Sequence, residues 1–143
     1  MSYTVADLLK TPFTELDAIF GAGEPGPIPA GEAKGTAIIA PDTAYSPVIA
    51  GLINHFAWQG KVFNPATGEL LNKILPVGWP AVAAKVYSGS SWFDQKDCVV
   101  LDYSTTSVVA HLIRDEIRLI GPGFYLGKVY WQSTPIFHFT LQF

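Results

Sequence analysis

The sequence predicts a mainly β protein, an antiparallel closed β-barrel with one or two short helices at its N-terminus. Three observations lead there. A lysine, a valine and an aromatic residue recur in that order at Lys61-Val62-Phe63, Lys85-Val86-Tyr87 and Lys128-Val129-Tyr130. In a strand each copy places the lysine and the ring on one face and the valine on the other. Two copies belong to a longer echo, Trp58-Gln59-Gly60-Lys61-Val62-Phe63 against Tyr125-Leu126-Gly127-Lys128-Val129-Tyr130. Near the C-terminus Phe137, Phe139, Leu141 and Phe143 alternate with His138, Thr140 and Gln142, the period of a half-buried strand. Short apolar runs between glycine-rich turns suit a barrel, because closure leaves no sheet edge unpaired; a half-open barrel or an α+β roll is the alternative.

The elements follow in order along 143 residues, a length that fits one domain spanning 1–143. Thr4 caps a short turn running to Lys10. Thr11-Pro12 reads as an N-cap followed by proline at the first helical position, and Phe13, Leu16, Ile19 and Phe20 form an apolar stripe that Gly21 ends. Residues 1–20 thus make a helical cap closing one end of the barrel. From Gly21 to Gly31, three prolines and four glycines in eleven residues make an extended surface strap, reaching to about residue 35. Glu32 to Ala40 is strand-like. Ser46-Pro47 opens a second helix carrying Val48, Ile49, Leu52, Ile53 and Phe56. Strands at 58–64 and 69–75 flank the turn Asn64-Pro65-Ala66-Thr67-Gly68, and further strands fall at about 80–88 and 98–103. The segment 104–120 reads as a short helix or turn to Leu112, then strand. The last two strands, about 123–132 and 135–143, meet at Gln132-Ser133-Thr134-Pro135.

Composition narrows the function classes. Hydrophobic residues make up 49% and charged residues 15%, but the longest weakly charged run, Ala37 to Gln59, is broken by Pro41, Pro47, Asn54 and His55. It lacks the roughly 20 apolar residues of a spanning helix. The start, Met1 to Asp7, has no basic segment followed by an apolar stretch, so the expected address is cytoplasmic. A net charge of −3 with no lysine or arginine cluster argues against nucleic acid as a partner. Cys98, the only cysteine, has Val99, Val100 and Leu101 beside it and reads as a small buried hydrophobe. His55, His111 and His138 have no ligand spacing, and neither phosphate-loop pattern occurs, so no metal or cofactor is expected.

The residues that could carry chemistry lie on the strands. If Lys61, Lys85 and Lys128, with Phe63, Tyr87 and Tyr130, line the barrel interior, buried ammonium groups there need an anionic partner, and the ligand is an amphipathic acid. If the valines face the core instead, the lysines are solvated and cover the rings with their stems. Trp58 and Tyr125, which open the two echoed hexapeptides, join the candidate ligand-binding set. Trp58, Trp79, Trp92 and Trp131 fall at strand ends or turns, where they could ring a barrel mouth. In Arg114-Asp115-Glu116-Ile117-Arg118, strand geometry puts Arg114, Glu116 and Arg118 on a polar face and leaves Asp115 among Ile113, Ile117 and Leu119. A carboxylate so placed has a raised pKa and is a candidate general acid or base. Were the segment helical, His111 and Asp115 would be i,i+4 neighbours, a base and its orienter.

Trp58-Gln59-Gly60-Lys61-Val62-Phe63 resembles the Trp-x-Gly-Lys-x-Phe core of bacterial GXWXG-type domains, with Ala57 preceding the tryptophan. The stretch from Val100-Leu101-Asp102-Tyr103 through Arg114, Leu126-Gly127-Lys128-Val129 and Phe137-His138-Phe139 is similar to the domain that usually follows it. The resemblance implies a compact calycin or lipocalin-like barrel that holds small apolar ligands, and it brings no catalytic residues. The expected function is binding of a small hydrophobic or amphipathic molecule in a barrel cavity. The alternative is a cyclase, isomerase or hydrolase, in which Asp115 or His111 moves protons and Tyr87 or Tyr130 positions an oxygen. Monomer and homodimer are both open.

Overall fold

The structure is a computed structural model that describes residues 2–38, 58–74, 82–105 and 111–143. The expected helix at 46–56 and Trp79 lie outside those residues. The chain is mainly β, a strongly curled antiparallel sheet with short helices at the N-terminus. Helix α1 is Val5–Leu8 and α2 is Phe13–Ala22, followed by strands β1 (Gly31–Ile38), β2 (Trp58–Asn64), β3 (Glu69–Ile74), β4 (Val82–Ser90), β5 (Asp97–Asp102), β6 (Ile113–Gly121), β7 (Phe124–Trp131) and β8 (Thr134–Gln142). Each strand pairs with the next, and β1 also pairs with β8 through Lys34↔Gln142 to Ile38↔His138, so the ladder closes on itself.

Alternation then sorts side chains into two sets. Ala33, Phe63, Val86, Leu101, Ile117, Val129 and Phe139, with their same-parity neighbours, form one continuous cluster inside the sheet. Residues of the other parity, Ile38, Phe124 and Leu126, pack instead with Leu8, Leu16 and Phe20 of the helices. The N-terminal helices therefore lie on the outer face, with α2 against β6, β7 and β8, where closure of a barrel end was expected. Their stripe is the cause: Leu16 and Phe20 are fully buried while Phe13 and Ile19 pack at the margin. The start of α2 also differs from the expectation. Pro12 itself occupies the N-cap position, and the Thr11 hydroxyl donates to the Asp7 carbonyl. Gly21 stays inside the helix, which ends at Gly23.

The strap is stitched to the sheet. Glu24 exchanges backbone hydrogen bonds with Leu119 at 3.0 and 2.7 Å, where β6 runs past the end of its ladder with β5. The Tyr125 hydroxyl donates to the Pro27 carbonyl at 2.8 Å. Gly127 faces Phe139 across the β7–β8 ladder, and a Cβ there would stand 2.2 Å from the ring. Only glycine allows that ring to lie across the strand.

Candidate functional site

The three Lys-Val-aromatic copies have three different fates. In β2 both Lys61 and Phe63 point inward and are buried. In β4 the valine faces the core, while Lys85 and Tyr87 are exposed on the outer face and Tyr87 donates to Asp102 at 2.8 Å. In β7 Val129 again faces inward, but Lys128 and Tyr130 are buried too, because α2 and the β4–β5 connection cover the outer face at that point. An identical local pattern cannot distinguish these outcomes, since register and the covering element decide them. Trp58 begins β2 opposite Ile74; its side chain is outside the described set. Tyr125 is an inward-facing structural tie to the strap.

Inside the sheet, Lys61 reaches two polar residues among the described ones. Its ammonium donates to the Tyr103 hydroxyl at 2.8 Å and stands 3.5 Å from Asp115 Oδ2, while the Tyr103 hydroxyl makes a long contact of 3.5 Å to the same oxygen. The Phe139 ring lies 5.4 Å from the ammonium. Asp115 is inward because 113–121 is strand, with Ile113 and Ile117 as its same-face neighbours, and Asp115 Oδ1 has no hydrogen-bond partner among the described residues. Burial drives the Asp115 carboxyl up, the Lys61 ammonium pulls it partly back, and it settles at about 6. Burial likewise lowers Lys61, with Asp115 opposing. His111 is not part of this site. It sits exposed on the turn before β6, so the helical pairing with Asp115 does not form. Tyr103 completes the site and was not singled out from the sequence, although the alternation Val99, Leu101, Tyr103 puts it on the inward face.

The opposite face of β6 is polar but not solvated. Glu116 is fully buried and accepts from the Ser91 hydroxyl at 2.6 Å, the Trp92 backbone N–H at 2.8 Å and Arg114 at 3.0 Å. Arg118 pairs bidentately with Asp94 at 2.6 and 2.7 Å and donates to the Phe20 carbonyl at 3.2 Å, tying α2 and the β4–β5 connection to β6. The Asp94 carboxyl is held at about 2 by that guanidinium.

A second cluster lies beneath α2. Asp17 Oδ1 accepts from Lys128 at 2.5 Å and from His138 Nε2 at 2.8 Å, Lys128 and His138 being cross-strand partners. Burial raises Asp17, but the bonds from His138 and Lys128 outweigh it and leave its carboxyl low. Burial lowers His138. The Asp17 carboxylate can only accept, so the His138 proton facing it is on Nε2, and Nδ1 has no partner among the described residues. Asp17 was not singled out in the sequence. Among the described residues there is no group of three metal-ligating side chains, and no helix is long and apolar enough to cross a membrane. Cys98 is buried, and burial pushes its thiol up to about 12.

No protein-family model matches the chain and no curated protein does so; the GXWXG likeness has no family match behind it. A solved structure described as a protein from Thermomonospora curvata is similar over 93% of this chain and 88% of that chain, with a TM-score of 0.67 and 14% sequence identity. At that identity the likeness establishes the fold alone, a curled antiparallel β-sheet architecture.

Proposed function

We propose that the protein is a calycin-like binding module that holds a small amphipathic molecule inside its barrel, the polar end of the guest meeting Lys61, Tyr103 and Asp115. One observation carries this reading: Asp115 Oδ1 is buried beside Lys61 and Tyr103 with no donor bound to it among the described residues. A buried carboxylate oxygen left without a donor costs about 1–3 kcal/mol, and such groups persist where a ligand or water completes them. Since the orphan atom is an acceptor, the guest's head must donate, which favours a hydroxyl. A carboxylate head would meet Asp115 as a like charge.

The test is displacement of the neutral fluorophore N-phenyl-1-naphthylamine by decanol and by decanoate. Decanol is expected to displace it near neutral pH and decanoate only below about pH 6, once Asp115 holds its proton. Asp115→Asn is expected to weaken decanol about fivefold and to abolish the pH dependence. Equal displacement by both chains at every pH, or none, would count against the interior site. An enzyme on a hydrophobic substrate is the second reading, favoured by the carboxyl near pH 6, which suits proton transfer at neutral pH. There Asp115 is the acid or base and Tyr103 positions the oxygen, and Asp115→Asn binds substrate without turning it over.

A further inference from the structure

We infer that the outer face of the barrel carries a second binding site, a groove between α2, the β4–β5 connection and the β7–β8 turn, that takes a neutral, flat aromatic molecule bearing a hydroxyl or carbonyl oxygen. The groove is open to solvent and has a volume of about 710 Å³, within the range of clefts that hold small organic ligands. It lies on the opposite face of the sheet from Lys61 and Asp115 and does not depend on their occupancy.

The floor is Lys128 and Tyr130, both nearly inaccessible, and Tyr130 is 3% exposed with a hydroxyl that has no partner among the described residues. A buried phenol O–H usually finds one. The ammonium of Lys128 is already faced by the Asp17 carboxylate, so the floor leaves no lone charge for an ion to balance. Lys128 keeps N–H capacity beyond its bond to Asp17, so an oxygen entering the groove can be shared between it and Tyr130.

The walls are aromatic and held rigid at considerable cost. Trp92 and Phe93 are 46% and 40% exposed, Trp92 meets the Tyr130 ring edge-on at 5.3 Å, and Lys128 lies 4.9 Å from the Phe93 ring. Two of the bonds accepted by the buried Glu116 fix the Ser91-Trp92 turn, and the third holds Arg114, whose guanidinium stacks 4.3 Å from the Trp92 ring. A buried carboxylate and a paired arginine fastening a solvent-exposed tryptophan do little for the core. They do what a ligand wall requires, which is to hold an aromatic surface in place before the ligand arrives.

The test is calorimetric titration of the wild-type chain near pH 7 with 2-naphthol and with 2-naphthoate. Saturable one-to-one binding of 2-naphthol is expected, tighter than that of the anion. Tyr130→Phe removes an oxygen that bonds none of the described residues, so the fold should keep its melting temperature while affinity falls about fivefold. Trp92→Ala should weaken binding about tenfold, and Lys85→Ala, at an exposed position of β4 away from the groove, should leave it unchanged. The inference is overturned by the absence of saturable 2-naphthol binding, by tighter binding of 2-naphthoate, by unchanged affinity in both groove variants, or by loss of binding in Lys85→Ala.

Discussion

Lys61 and Asp115 are a charged pair that a barrel of this composition could do without. Replacing a buried ion pair by apolar residues of similar size is often neutral or stabilising, whereas removing one member leaves the other uncompensated. Lys61→Met alone is therefore expected to lower stability in urea by about 3 kcal/mol, and adding Asp115→Leu to restore wild-type stability or exceed it. A double variant as weak as the single one would mean that the pair holds the fold together. The pH dependence has a definite sign. The folded Asp115 carboxyl titrates at about 6 against an ordinary 3.8, so the folded state binds this proton more tightly than the unfolded chain. The stability it contributes is present below about pH 4 and is lost as pH rises through 6, by no more than about 3 kcal/mol. Urea titrations of Asp115→Asn should lack that loss. The inward acid was legible, because Ile113, Asp115 and Ile117 alternate. Which lysine meets it was not, since the repeated pattern offers three, and Tyr103, only 12 residues away, was not singled out.

Among the elements, turns and the strap contain the backbone conformations that side chains resist. The β7–β8 connection puts Gln132 and Ser133 at φ 49° and 72°, values matched to a two-residue hairpin but usually met by asparagine and glycine. Ser133→Gly is expected to raise stability by about 1 kcal/mol, read as a higher melting temperature. Two glycines of the strap differ in a measurable way. Gly26 has φ +67° and a Cβ there would stand 2.9 Å from Leu119 Cβ, while Gly31 has φ +86° and open space around it. Gly26→Ala should cost about 2–3 kcal/mol and Gly31→Ala about 1, the difference being the contact rather than the backbone. Strand positions were readable as short apolar runs between turns, with the two-residue alternation plainest in the sequence of β8. The Asn64 turn was readable because its side chain accepts from the Ala66 N–H. The helices' place was not, since an amphipathic stripe says that a face is buried and leaves the partner open.

For the whole molecule, closure of the ladder gives two distinct polar sites on opposite faces of one sheet. The mainly β character followed from short alternating runs, but the assignment of the Lys-Val-aromatic copies to inside or outside depended on tertiary cover that no local pattern contains. The interior site rests on the idea that an oily barrel keeps charged groups for a guest. Native mass spectrometry of the protein equilibrated with decanol tests this most directly. The account predicts a one-to-one adduct in the wild-type chain and in Trp92→Ala, absent from the Lys61→Met, Asp115→Leu double variant. A bare chain at every decanol concentration, or an adduct indifferent to those two substitutions, would contradict it.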